Sequence, residues 1–159
     1  MSRNVAIIQA RMSSTRLPGK VLKTSYDRSM LERMVERVQR TTLLDEVLVA
    51  TTIDASDDRI ETVCHKMGVA CYRGSLQDVL DRYYQAACLS KADRVVRLTG
   101  DCPLIDPLFS GDVIRALQET QADFACNRLP SPFHRTYPIG LDVEACTFSA
   151  LENAWHNAR

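Results

Sequence analysis

The sequence has 159 residues, 45% of them apolar, which suffices for one buried core and fits one domain or part of a larger one. Its 20 Lys and Arg balance its 20 Asp and Glu, which excludes a global field of the kind that draws in nucleic acid or an anionic membrane. Any anion site must therefore be local. The six cysteines, Cys64, Cys71, Cys88, Cys102, Cys126 and Cys146, contain no C-x-x-C pair, which argues against a thiolate zinc centre and against a dense disulfide framework. The apolar run at residues 5–8 is too short for a signal peptide and no stretch approaches a membrane span, so a soluble, cytoplasmic protein with reduced thiols is expected.

Short β-rich runs alternate with helical patterns along the chain. Strands are expected at residues 5–9, 46–52, 69–72, 94–99 and 123–126. The first helix follows Ser29, which forms a capping box with Glu32 and is followed by Met30, Leu31, Met34, Val35 and Val38 on one face. A second helix is expected from about Ser56 to the left-handed cap Gly68, with Ile60, Val63, Cys64 and Met67 inward and the acids Asp57 and Asp58 suiting the dipole of its first turn. A third is expected to begin at Ser75 with Asp78 as its box partner and to bury Leu76, Leu80, Tyr83, Ala87 and Cys88. A fourth opens with Asp106 as cap and Pro107 in the first turn, burying Val113, Ile114 and Leu117. Residues 128–140 contain three prolines and read as a surface loop leading to residues 141–145. A last helix starts near Thr147 or Ser149, with Phe148 and Trp155 in the core, and runs to Arg159 without a stop signal. That pattern reads as a chain cut short or as a natural variant without its last elements. Strands and helices alternating this regularly predict a three-layer α/β domain over residues 1–159 with a mostly parallel sheet.

In such sheets ligands bind beyond the carboxyl ends of strands. The loop after the first strand, residues 10–20, reads Ala-Arg-Met-Ser-Ser-Thr-Arg-Leu-Pro-Gly-Lys, with three cations, three hydroxyls and no acid. Guanidinium forks, an ammonium and neutral hydroxyl donors together suit phosphate oxygens. It is neither a P-loop nor a dinucleotide fingerprint, and on composition alone a solvated basic loop is as good a reading. The loop after residues 94–99 places Asp101 beside Gly100, where one carboxylate can hold Mg²⁺ against phosphate oxygens. Asp106 is better explained as a helix cap, and Cys102 as a packing residue with a site role left open. Arg73, Gly74 and Ser75, closing the third strand, are placed to meet a base or ribose, although Ser75 and Asp78 are explained equally well as a cap. His65, His134 and His156 share no metal-ligand spacing and read as surface residues.

The run Ala10-Arg11-x-x-Ser14-Thr15-Arg16-Leu17-Pro18-Gly19-Lys20 resembles the N-terminal signature of sugar-activating cytidylyltransferases, including those that make CMP-linked ketodeoxyoctulosonate. Residues 8–12, Arg73-Gly74 with residues 78–83, residues 97–105, and Pro138-x-Gly140-Leu141-Asp142-Val143-Glu144 bring the chain nearest to the spore-coat polysaccharide branch of that family. The resemblance implies a nucleotide-diphospho-sugar transferase (GT-A-like) fold with further elements after residue 159, one of which would supply a second metal carboxylate. It also implies transfer of a cytidylyl group from CTP to a sugar acid or sugar phosphate. Ala10, Arg11, Ser14, Arg16, Lys20 and Arg73 would bind the nucleotide, with Arg16, Lys20 and Asp101 catalytic, Asp101 the Mg²⁺ ligand, and Asp142 and Glu144 facing the sugar. A glycosyltransferase of similar fold and a catalytically incomplete nucleotide-binding module are the alternatives. An exposed sheet edge would favour pairing as a homodimer.

Overall fold

The computed structural model describes residues 2–130 and 132–158. In chain order the elements are β1 (Asn4–Gln9), a short hairpin of β2 (Thr24–Ser25) and β3 (Arg28–Ser29), α1 (Met30–Val38), β4 (Glu46–Thr52), α2 (Asp58–Met67), β5 (Ala70–Gly74) and α3 (Val79–Leu89). They continue with β6 (Arg94–Thr99), α4 (Pro107–Thr120), β7 (Phe124–Cys126), β8 (Glu144–Thr147) and α5 (Phe148–Asn157). The main sheet has the order β5-β4-β1-β6-β8-β7. β5, β4, β1 and β6 run parallel, while β8 lies antiparallel to both β6 and β7.

Alternation along the central strand explains the three layers. Ala6 and Ile8 of β1 face α1, α2 and α4 in a cluster that includes Leu31, Met34, Ile60 and Ile114. Val5 and Ile7 face the other way, against Tyr83, Ala86 and Ala87 of α3 and Leu151 of α5. A strand covered on both faces reads as an unbroken apolar run, as β1 does. The chain leaves β1 toward β4 and β5 on one side and returns to β6 on the other, so the crevice between the loops after β1 and β6 is the topological switch point of the sheet.

Several local expectations are corrected. α3 begins at Val79, not Ser75: Ser75 Oγ is used by the N–H groups of Gln77 and Asp78 in a tight turn, and Asp78 itself caps the helix by accepting from Asp81 N at 2.8 Å. On that register Arg82, Tyr83, Ala86 and Ala87 are buried while Cys88 is exposed. A single 3₁₀ turn, Ala55–Asp57, precedes α2 and is capped by Asp54. The segment at residues 141–145 becomes β8 only from Glu144. The β2–β3 hairpin escapes sequence reading because each strand is two residues long and its turn uses Tyr26 at φ 59° in place of a glycine. Phe148 and Trp155 are half-buried and both stack with Tyr84, with ring centroids 5.8 and 4.3 Å away. Thr147 caps α5, as expected, by accepting from Ala150 N; Arg159 lies outside the described residues. All six cysteines are free thiols. Among the described residues no helix is long and apolar enough to cross a membrane.

Candidate active site

The loops after β1 and β6 meet around a cavity of about 200 Å³. Ala10, Arg11, Ser14, Arg16, Lys20 and Asp101 line it, so the residues expected from the first basic loop and the acid of the second share one wall. Gln9, Thr15, Val21, Thr99 and Gly100 complete the lining. Three cations thus face one carboxylate, leaving the cavity with an excess of positive charge in a protein whose total is balanced.

Backbone geometry builds this loop. Ala10 N donates to Ala50 O at 3.1 Å, holding the end of β1 to β4 one step past the strand. Gly19, at φ 68°, turns the chain back so that its N–H reaches Met12 O at 2.9 Å and closes the basic residues into a ring. A side chain there would be strained by the left-handed backbone. Gly100 permits the approach of the second loop: its N–H donates to Gln9 O at 2.7 Å, and a Cβ at this position would lie 3.0 Å from both Gln9 O and Ala10 Cβ.

Lys20 Nζ donates to Asp101 Oδ2, an ion pair with both side chains partly buried. Burial pushes the Asp101 carboxyl upward, but the hydrogen bond and charge of Lys20, helped by the Thr99 hydroxyl, outweigh it and hold the carboxyl below its ordinary value. Cys102 is half-buried, and burial raises its thiol, so it sits beside Asp101 as a neutral packing group. Asp106 is the cap of α4, accepting from Leu108 N at 2.7 Å and Phe109 N at 3.4 Å. His65, His134 and His156 are exposed.

Asp57 is the residue that sequence reasoning assigned differently. Its carboxylate is buried rather than turned to solvent in the first turn of α2. Oδ1 accepts from Met12 N at 2.7 Å, and Oδ2 accepts from Thr51 Oγ1 at 2.9 Å and Thr52 N at 3.0 Å. It ties the basic loop to the end of β4. No sequence signal separates this role from that of an ordinary first-turn acid, because both place Asp at the same position.

Arg73 does not line the cavity. Its guanidinium is spent locally, with Nε donating to Thr52 O at 2.9 Å, Nη2 to Asp54 O at 2.9 Å, and Nη1 paired with Asp58 at 2.7 Å and Glu61 at 2.9 Å. It thereby fixes the end of β5 to the β4–α2 connection. Nor do Asp142 and Glu144 reach the cavity. Asp142 pairs with Arg135, and Glu144 pairs across the β6–β8 ladder with Arg97 at 2.6 Å. On either side of Asp142, Asn127 holds the chain by donating to Leu141 O and accepting from Val143 N. Leu141 and Gly140, with Pro138 and Ile139, form one wall of a second cavity of about 520 Å³. Its opposite wall includes Asp101, which therefore stands between the polar cavity and this mainly apolar one.

A family model described as cytidylyltransferase matches residues 5–159. The chain belongs to the cytidylyltransferase family. It is 38% identical over 122 residues to the spore coat polysaccharide biosynthesis protein SpsF of Bacillus subtilis, covering 74% of this chain and 51% of that protein. A cytidylyltransferase structure from Leptospira borgpetersenii superposes with a TM-score of 0.91 at 38% identity, over 100% of this chain and 66% of the other. A CMP:2-keto-3-deoxy-manno-octonic acid synthetase solved with CTP shares the fold at a TM-score of 0.77 and 20% identity, over 98% of this chain and 78% of that one. The α/β architecture is thus the nucleotidyltransferase fold. The chain spans about half to three fifths of the length of the curated relatives it matches first.

Proposed function

We propose that this chain carries the nucleotide site of an enzyme that transfers a cytidylyl group from CTP to a sugar acid or sugar phosphate, with Mg²⁺ held by Asp101. The observation that carries this reading is the convergence of Arg11, Arg16 and Lys20 with Asp101 on one cavity at the switch point of the sheet. The donor set suits the ion: Mg²⁺ commonly takes one or two protein carboxylates and completes its octahedron with phosphate oxygens and water. Among the described residues no group of three or more His, Cys, Asp or Glu forms a closed metal cage, so phosphate oxygens would have to share the coordination. When bound, the ion would neutralise charge on the phosphate oxygens.

The chain's own residues supply position and charge. Arg11 and Arg16 would grip the triphosphate with forked donors, Ser14 would add a neutral donor, and Ala10 with Gly100 would let backbone approach the nucleotide. An acceptor oxygen, the hydroxyl of a sugar acid or a phosphate oxygen of a sugar phosphate, would attack the α-phosphorus as the bond to the bridging α–β oxygen breaks. Pyrophosphate would leave with that electron pair, and where the acceptor is a hydroxyl its proton would pass to solvent. Lys20 would follow the charge that grows on the leaving pyrophosphate, the kind of preorganised electrostatics that acts mainly in the transition state. The second cavity, sharing Asp101, is the natural place for the sugar, with residues 138–141 in its lining. The kinship to SpsF supports a place in surface polysaccharide synthesis. No nucleic acid or membrane partner is part of this reading. Arg73, spent on its neighbours, would shape the base side of the site through the β5 end rather than by releasing its donors.

The test is pyrophosphate release from CTP and Mg²⁺ over a panel of sugar acids and sugar phosphates. Release that depends on one of these acceptors and disappears in Asp101→Asn is the expected result. Tight CTP binding without turnover on any acceptor would favour a nucleotide-binding module, and consumption of a nucleotide sugar would favour a glycosyltransferase.

A further inference from the structure

Lys20 and Asp101 touch each other, and both line the cavity. A divalent cation that approaches Asp101 by itself must therefore displace an ammonium already seated on the carboxylate. It must also do so beside Arg11 and Arg16, in a cavity that no second acid lines among the described residues. A triphosphate changes that balance, because its oxygens offer Lys20 an alternative anion and offer the cation further ligands. From this contact we infer that Lys20 gates the metal site: the cation and the triphosphate bind as a unit, and Lys20 moves from the carboxylate to a phosphate as they arrive. The inference rests on the proposed function for the identity of the anion, but the lysine–carboxylate contact is a property of the chain itself.

Binding of Mn²⁺ to the whole protein, followed by the loss of the free-ion electron paramagnetic resonance signal, tests the gate without any turnover. With Mn²⁺ alone the wild-type protein is expected to bind weakly. Lys20→Met, which removes the ammonium and keeps much of the stem, is expected to bind roughly tenfold more tightly, within the usual range of coupling between sites. Adding Asp101→Asn to it should return binding to the weak level. Two controls separate displacement from a general change of charge. Arg16→Met removes a cavity cation that Asp101 does not contact in an ion pair, and Lys23→Met removes an exposed cation outside the cavity lining. Each is expected to shift Mn²⁺ affinity much less than Lys20→Met does. In a second arm CTP should tighten Mn²⁺ binding to the wild-type protein, and the gain should shrink in Lys20→Met. Equal Mn²⁺ affinity in Lys20→Met and wild type would overturn the gate, as would equal gains from all three lysine and arginine variants. A wild-type protein that binds no CTP would instead sink the proposed function, and the Mn²⁺-only arm would still decide whether Lys20 guards Asp101.

Discussion

At the scale of single residues, the basic loop owes its shape to groups that carry no charge toward the cavity or that lie beneath it. Gly19 bends the chain, Gly100 admits the neighbouring loop, and Asp57 binds Met12 N from below. Asp57→Asn is the sharpest probe of this support. Both carboxylate oxygens accept hydrogen bonds, so one face of an amide would present a donor to groups that are themselves donors. The expected result is a loss of about 1–3 kcal/mol of stability, the scale of leaving a buried polar group unsatisfied, together with weaker CTP binding although Asp57 does not line the cavity. Chemical denaturation and calorimetry read the two effects separately, and unchanged CTP affinity would show that the loop holds its shape without the brace. The cationic and hydroxyl side chains of this loop were legible in the sequence because their chemistry is written in their identity. Asp57 was not, since burial by tertiary contact leaves no local mark, and neither was the local use of Arg73, whose partners Asp58 and Glu61 belong to a different element.

At the scale of elements, the caps were read most accurately where one side chain and one backbone N–H decide the matter. The Ser29–Glu32 box is present in full, with Glu32 accepting from Ser29 N at 2.7 Å and Ser29 Oγ accepting from Glu32 N at 3.2 Å. Ser29→Ala is expected to cost about 1 kcal/mol in a denaturant titration, and more than about 2 kcal/mol would mean that the β2–β3 hairpin leans on this cap as well. α3 opens three residues later than its sequence suggests because Ser75 and Asp78 are both competent caps three positions apart, and only the turn between them shows which one opens the helix. β8 and its antiparallel place between β6 and β7 were also out of reach, since pairing order depends on long-range contacts that periodicity does not encode. The parallel core from β5 to β6, by contrast, follows from apolar runs separated by amphipathic helices.

At the scale of the whole molecule, a neutral chain concentrates positive charge at one end of its sheet and restrains it with one acid. That arrangement gives the fold a defined response to acid. The Asp101 carboxyl is held below its ordinary value, as is that of Glu32, which accepts from the Ser29 hydroxyl and backbone. Depressed carboxyls bind fewer protons in the folded state than in the unfolded one. Their stabilisation is therefore present above the unfolded values near pH 4 and is lost as pH falls through the lower folded values. Melting temperature should be flat from pH 7 to about 5 and fall below about 4, with a shallower fall in Lys20→Met, where Asp101 has lost the main group that depresses it. An equal slope in the variant would show that the ion pair does not contribute to acid stability.

The claim on which the rest depends is that the cavity between the loops after β1 and β6 binds a triphosphate. Calorimetric titration of CTP with Mg²⁺ into wild-type, Arg16→Met and Asp101→Asn proteins tests it most directly. Saturable one-to-one binding to the wild-type chain is expected, with affinity weakened at least roughly tenfold by either substitution, the loss of one charge-assisted contact being worth about 1.5–3 kcal/mol. CTP binding unaltered by both substitutions would contradict it, because the nucleotide would then lie elsewhere on the molecule.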